Sequence, residues 1–152
     1  MIATIEPLLA SHPLFKNLDP VHINLLTGCA SNVKFKASQF IFREGEEANT
    51  FYIIRHGHII VEAFSPAYGS IGIQSCSDGD VLGWSWLVAP FHWRFDAKTT
   101  EQTRLIALDG QCLRTKCEKD HDLGYEMMKI FIDIMADRLE ATRLQLLDIY
   151  RK

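Results

Sequence analysis

With 152 residues, 47% of them hydrophobic and 23% charged, the chain is long enough to bury the core of one globular domain. A net charge of −3 excludes the basic footprint of a nucleic-acid surface or a polybasic membrane anchor, and no run reaches the roughly 18 apolar residues of a membrane span. The opening MIATIEPLLASHPLF has no basic leader region, so the expectation is a cytoplasmic protein with neither nucleic acid nor membrane as partner.

In chain order, residues 2–12 predict a short helix with Ile5, Leu8 and Leu9 on its apolar side, stopped near Pro13. Asp19 followed by Pro20 is a helix start, and that second helix carries Ile23, Leu25 and Leu26 up to Gly28, which ends it. From Val33 the period becomes that of strands. Val33 and Phe35 alternate with lysines, Phe40–Phe42 follow, and REGEEAN makes a turn. Phe51–Ile54 is an apolar run, Gly57 breaks it, and Ile59–Phe64 resumes it. After Pro66 and Gly69 come Ile71 and Ile73, and later Phe95–Thr100 and Leu105–Leu108, closed by Asp109 and Gly110. About eight short strands at this spacing argue for a sandwich or barrel-like sheet.

Between those strands lies the stretch around which the rest is organised, Gly79–Ala97, reading GDVLGWSWLVAPFHWRFDA. A Gly-rich turn leading into a short polar and aromatic helix can present backbone N–H groups to an anion. The last forty residues predict a short helix over Gly110–Glu118 and a long one over Tyr125–Tyr150. Along the long helix Met128, Ile132, Met135, Leu139, Thr142, Leu146 and Ile149 keep the 4-3 spacing of a coiled-coil seam. Phe131, Ile134, Leu144 and Leu147 sit off that seam, so the helix has two surfaces to bury, one on its own domain and one in a homodimer. The charges Asp137, Arg138, Glu140 and Arg143 read as its solvated face. Cys29, Cys76, Cys112 and Cys117 lack metal-binding spacing and read as four reduced thiols in a reducing compartment.

The order of elements and the glycines resemble the cyclic nucleotide-binding domain family. The resemblance rests on Phe15 and Leu18, on Phe40, Ile41, Phe42, Glu44, Gly45 and Ala48, and on Phe51, Tyr52, Ile54, Gly57 and Val61. It continues through Gly79, Asp80, Leu82 and Gly83, the lead-in to the family's phosphate-binding cassette, and ends at Leu105, Leu108 and Asp109. It covers the chain from about Leu14 to the end of the long helix. The resemblance implies a mainly β domain, a double-stranded β-helix or jelly-roll-like barrel with short N-terminal helices and a long C-terminal helix. The parts are N-terminal helices over 1–30, a β-barrel over 31–109 with its cassette at 79–97, and C-terminal helices over 110–152. It also implies a nucleotide ligand such as cyclic AMP or cyclic GMP, a regulatory role in signal transduction, no required cofactor and no catalysis. Family members of the transcription-regulator kind continue into a helix-turn-helix; this chain ends at Lys152, so no DNA-reading element of its own is expected.

The cassette departs from the family at two positions. Where the family places a glutamate for the ribose 2′-hydroxyl, this chain has Trp84; where the family's arginine pairs with the cyclic phosphate, the count falls on Trp93 or Arg94. A one-residue slip along a strand exchanges inward and outward faces, so the register at this point decides whether a phosphate site exists. If it does, Gly83, Trp84, Ser85, Trp86, His92, Trp93 and Arg94 are the ligand-binding residues, with N–H groups of 83–85 and the Ser85 hydroxyl toward the anion and Arg94 as counter-charge. Asp96, two residues further, is placed to neutralise Arg94. If it does not, GWSWL is core packing and the domain is an interaction and dimerisation scaffold. A third reading comes from His56, His58, Glu62 and Gly69, which resemble the first metal motif of the cupins and would make a metal-dependent enzyme. Against it, Thr50 stands where that motif has glycine, no second motif follows, and Gly57 puts both histidines at a hairpin tip.

Overall fold

The computed structural model describes residues 2–83, 85–87 and 90–151. Helix α1 (Ile2–Ser11) leads through a single 3₁₀ turn at Pro13–Phe15 to α2 (Pro20–Thr27). Eight strands follow: β1 (Ala30–Phe35), β2 (Phe40–Phe42), β3 (Thr50–His56), β4 (Ile59–Ser65), β5 (Gly69–Cys76), β6 (Val81–Leu82), β7 (Asp96–Thr99) and β8 (Thr103–Asp109). Helices α3 (Gly110–Lys119) and α4 (His121–Arg151) complete the chain. The second helix begins as its sequence requires, with the Asp19 carboxylate accepting from the His22 N–H at 2.9 Å and Pro20 at the first helical position.

The strands form two antiparallel four-stranded sheets, ordered β1-β8-β3-β6 and β2-β7-β4-β5. The expected jelly-roll-like barrel is found as two antiparallel sheets and not as a closed barrel, since among the described residues no ladder joins one sheet to the other. The β3–β4 connection crosses from the first sheet to the second, whereas β4 and β5 form a hairpin within the second.

Strands β3 and β8 are central in the first sheet and are covered on both faces, which is why they read as continuous apolar runs. Alternation divides their side chains between two cores. Phe51, Ile53, Ile106 and Leu108 pack with Ile5, Leu9, Phe15, Leu26, Leu113, Leu123, Met127 and Phe131 of the helices. Ile54 and Leu105 face the second sheet and join Phe42, Ile59, Val61, Leu82 and Ala97.

The cysteines are not four free thiols. Cys29 and Cys112 are joined by a disulfide across 83 positions, whereas Cys76 and Cys117 are free. Strand register is the cause. Ala30 pairs with Leu108, and the Asp109 N–H donates to the Cys29 carbonyl at 2.8 Å, so the residue before β1 lies beside the start of α3. That leaves the two Cα atoms 5.8 Å apart, a bridging distance that no sequence spacing could disclose.

Candidate functional site

The stretch Gly79–Ala97 enters the fold as β6, leaves it as β7, and crosses between the sheets. Described residues 85–87 and 90 are in turns, so the expected short helix is not formed by them; Trp84 lies outside the described residues. Residues 91–93 are pinned to the turn that follows β2. The Ala48 N–H donates to the Phe91 carbonyl at 2.7 Å, the Trp93 N–H to Glu46 at 2.9 Å, and the Gly45 N–H to Trp93 at 2.8 Å. Phe91 is held at φ 60°, a left-handed conformation that a bulky residue adopts only under constraint.

Those bonds fix the register. Trp93 points inward, only 6% exposed, and its ring stacks on Phe42 with centroids 3.6 Å apart and planes 6° from parallel. Gly83 makes room for it. The glycine has φ +98°, and a Cβ there would stand 2.7 Å from the Trp93 indole. Arg94, one residue on, is exposed and lies at the edge of the space Trp93 fills. Asp96 is buried, but its carboxylate belongs to the β2 turn, where it accepts from the Glu44 N–H at 2.7 Å and faces Arg43 Nε at 3.6 Å. His92 is exposed and its backbone bridges to Glu47.

The remaining cavity is about 80 Å³, bounded by Phe42, Val61, Leu82, Gly83, Ser85 and Trp93, with Ile134 and Arg138 of α4 at its edge. Small-molecule pockets usually measure about 300–1,000 Å³, so this one is closed to anything of drug or nucleotide size. Ser85 is buried beside it. Trp86 goes elsewhere. It is wholly buried in the helical core, edge-on to Phe131 with centroids 5.2 Å apart and tilted against Phe51 at 6.4 Å. Its carbonyl accepts from Arg114, whose guanidinium lies 4.5 Å above the Phe91 ring, and its own Nε1–H has no partner among the described residues. Of the seven expected ligand residues, then, Gly83, Ser85, Trp93 and Arg94 gather at one cavity, and Trp86 and His92 do not line it.

Sequence reasoning missed Ile134 and Arg138. Arg138, which the charge pattern places on a solvated face, is half-buried over the cavity. Ile134 lies off the 4-3 seam and Arg138 is one turn later on the same side, which was the available signal.

The histidine motif does not assemble. His56 sits 3.3 Å from Asp78, while His58 reaches Thr100 Oγ1 at 2.7 Å and Ser75 Oγ at 2.5 Å. His56 is exposed and His58 half-buried, on either side of the Gly57 turn (φ +132°) between β3 and β4, and among the described residues no His, Cys, Asp and Glu group has a metal-binding arrangement. Asp78 accepts the Gly57 N–H at 2.9 Å, and that bond, then His56, holds its carboxyl below the usual range. Burial pushes the Cys76 thiol up to about 11, aided by the neighbouring Asp80.

The fold recurs in solved structures. A cyclic nucleotide-binding domain from Methylobacillus flagellatus superposes with a TM-score of 0.81 at 14% identity, covering 97% of this chain and 83% of that one. The sensor domain of the transcriptional regulator DNR from Pseudomonas aeruginosa gives 0.74 at 17% identity, covering 91% and 93%. In sequence, the CRP-like cAMP-activated global transcriptional regulator of Mycobacterium tuberculosis is 23% identical over 145 residues. That match takes in 95% of this chain, and the chain spans 63% of the length of that relative. The sequence profile described as the cyclic nucleotide-binding domain matches residues 32–120, from β1 to the end of α3. The chain belongs to the cyclic nucleotide-binding domain family.

Proposed function

We propose that this chain is a regulatory, non-catalytic module of a cytoplasmic protein in which cyclic AMP and cyclic GMP no longer bind usefully, and that it acts as an interaction and dimerisation scaffold through α4. One observation carries the reading: Trp93, not an arginine, occupies the inward position, and its stack on Phe42 leaves about 80 Å³. An indole offers one N–H donor and no positive charge, so it does not replace a guanidinium against a cyclic phosphate. Scaffold behaviour is supported by the exposed apolar residues of α4: Met128, Ile132, Met135, Leu139, Leu146 and Ile149 are each 41–67% exposed. A surface of that kind is what an isologous dimer buries.

A second reading is favoured by the cavity edge. Gly83, Ser85, Arg94 and Arg138 line one opening, so a ligand that displaced Trp93 would meet a hydroxyl and two cations. In that reading the domain is a sensor with a closed resting state, and its apparent affinity falls with the rarity of the open one. Ligand would then shift the packing of Ile134 and Arg138, and with them α4.

Thermal unfolding with EDTA, with and without millimolar cyclic AMP or cyclic GMP, separates the two. A ligand at about 100 times its dissociation constant adds roughly 2.7 kcal/mol, or several degrees in a domain of this size. The scaffold reading expects no shift with either nucleotide. A shift of a few degrees overturns it in favour of the sensor.

A further inference from the structure

We infer that the Cys29–Cys112 pair is a reversible thiol–disulfide exchange site that clamps α3 onto the end of α2. The bond sits where the N-terminal and C-terminal helical segments meet. Cys29 follows the C-cap of α2, and Cys112 lies in the first turn of α3, its N–H accepted by the Asp109 cap at 2.9 Å. Beside it Lys116 Nζ donates to the Leu25 carbonyl at the end of α2, at 2.7 Å, close over Gly28. Covalent and polar ties therefore fasten α3 to α2, and α3 passes directly into α4.

The two sulfurs differ in access. Cys29 is only 7% exposed within the helical core, whereas Cys112 is half-buried and opens to a shallow cleft lined by Asp109, Thr115, Lys116 and Lys119. An incoming thiolate meets two ammonium groups and the positive end of α3 there, against the one carboxylate of Asp109. The two free cysteines do not compete for this role: Cys76 is buried in the other core, and Cys117 follows Cys112 by five residues, on a different side of α3.

The chemistry closes with a reductant that brings two thiols, one dithiol or two molecules of reduced glutathione. Its thiolate attacks Sγ of Cys112, the bond to Cys29 breaks, and Cys29 leaves as a thiolate that takes a proton. The second thiol of the reductant then attacks the mixed disulfide and releases Cys112. Two electrons and two protons reach the pair, and the reductant departs as its disulfide. In the reverse direction oxidised glutathione accepts the electrons and leaves as two thiols. Disulfides in a reducing compartment are characteristically transient and sensing rather than permanent, so the inference rests on the cytoplasmic part of the proposed function, though not on its ligand or dimer parts.

The test uses the wild-type chain. It is equilibrated in oxidised and in reduced glutathione, the latter at the excess a cytosol maintains, then alkylated and mapped by peptide mass. Amide exchange and the thermal midpoint are followed in parallel. Expected on reduction are alkyl groups gained at both Cys29 and Cys112, faster exchange over 110–119, and a midpoint lower by roughly 10 °C, as suits release of a loop of this length. A Cys29→Ser, Cys112→Ser double variant should match the reduced wild type and ignore the reductant. Alkylation of both cysteines already under oxidising conditions means there is no bond and overturns the inference. A bond that survives reduced glutathione makes the pair a fixed staple, as in an oxidising compartment, and overturns it also. Opening of the bond with unchanged exchange over 110–119 removes the clamp.

Discussion

Trp93 supports the two sheets and blocks the space between them, so its truncation has two opposite consequences. Trp93→Ala takes a ring off Phe42 and out of the inter-sheet core, a loss expected to cost about 3–5 kcal/mol and visible as a fall in the denaturation midpoint. The same change enlarges the cavity, so small apolar molecules should raise the variant's midpoint and leave the wild type unmoved. Gly83→Ala tests the same packing from the other side: with φ +98° and only 2.7 Å to the indole, it should cost about 2 kcal/mol or more by denaturant titration. Cysteine reactivity gives a third check. With its thiol pushed up to about 11, Cys76 should be only about one-thousandth thiolate at pH 8 and should resist iodoacetamide until the chain unfolds. Asp78 supplies the pH dependence. Its carboxyl is lowered in the fold, so its support of the Gly57 turn is complete above the unfolded carboxylate range, near pH 4, and is lost as pH falls through the folded value. Carboxyl NMR should place its titration below that of an unstructured aspartate, and His56→Ala should narrow the gap.

At the scale of elements, α4 is the piece that looks unfinished. Its first half is anchored by Leu123, Met127 and Phe131 in the helical core, and Gln145 Nε2 donates to the Ile73 carbonyl at 3.3 Å further along. Its seam stays exposed in the single chain. Leu139→Asp, 53% exposed here, should change the stability of the monomer by no more than about 0.5 kcal/mol and abolish self-association in sedimentation. Equal sedimentation of variant and wild type, both monomeric at high micromolar concentration, would remove α4 as a dimer contact. Most of these elements were legible in the sequence. The Asp19-Pro20 start and the break at Gly57 are local signals that mark observed boundaries, whereas the change of period near Val33 falls three residues inside β1, which begins at Ala30. Strand β6 was not separable, because two residues inside a Gly- and Trp-rich stretch have no period to read. Whether the jelly-roll-like barrel closes was not legible for a different reason: strand spacing reports how many strands there are, whereas closure depends on which edges meet.

For the whole molecule, the site was legible only up to a choice. The count from Gly83 left Trp93 and Arg94 as alternatives, and the deciding fact was nonlocal: Trp93 is bonded through both its N–H and its carbonyl to the turn at Gly45 and Glu46. The disulfide was illegible for the same reason, since its cause is the pairing of β1 with β8. Two tryptophans of one segment end in two cores, Trp86 against the helices and Trp93 between the sheets. That division has an evolutionary consequence. A lineage regaining a roomy pocket must remove a ring that holds its sheets together, so its first step is toward instability. Improved packing elsewhere, in the helical core around Trp86, has to come beforehand. The order of substitutions is thereby constrained, and a stabilised background should tolerate pocket-opening changes that the present sequence does not.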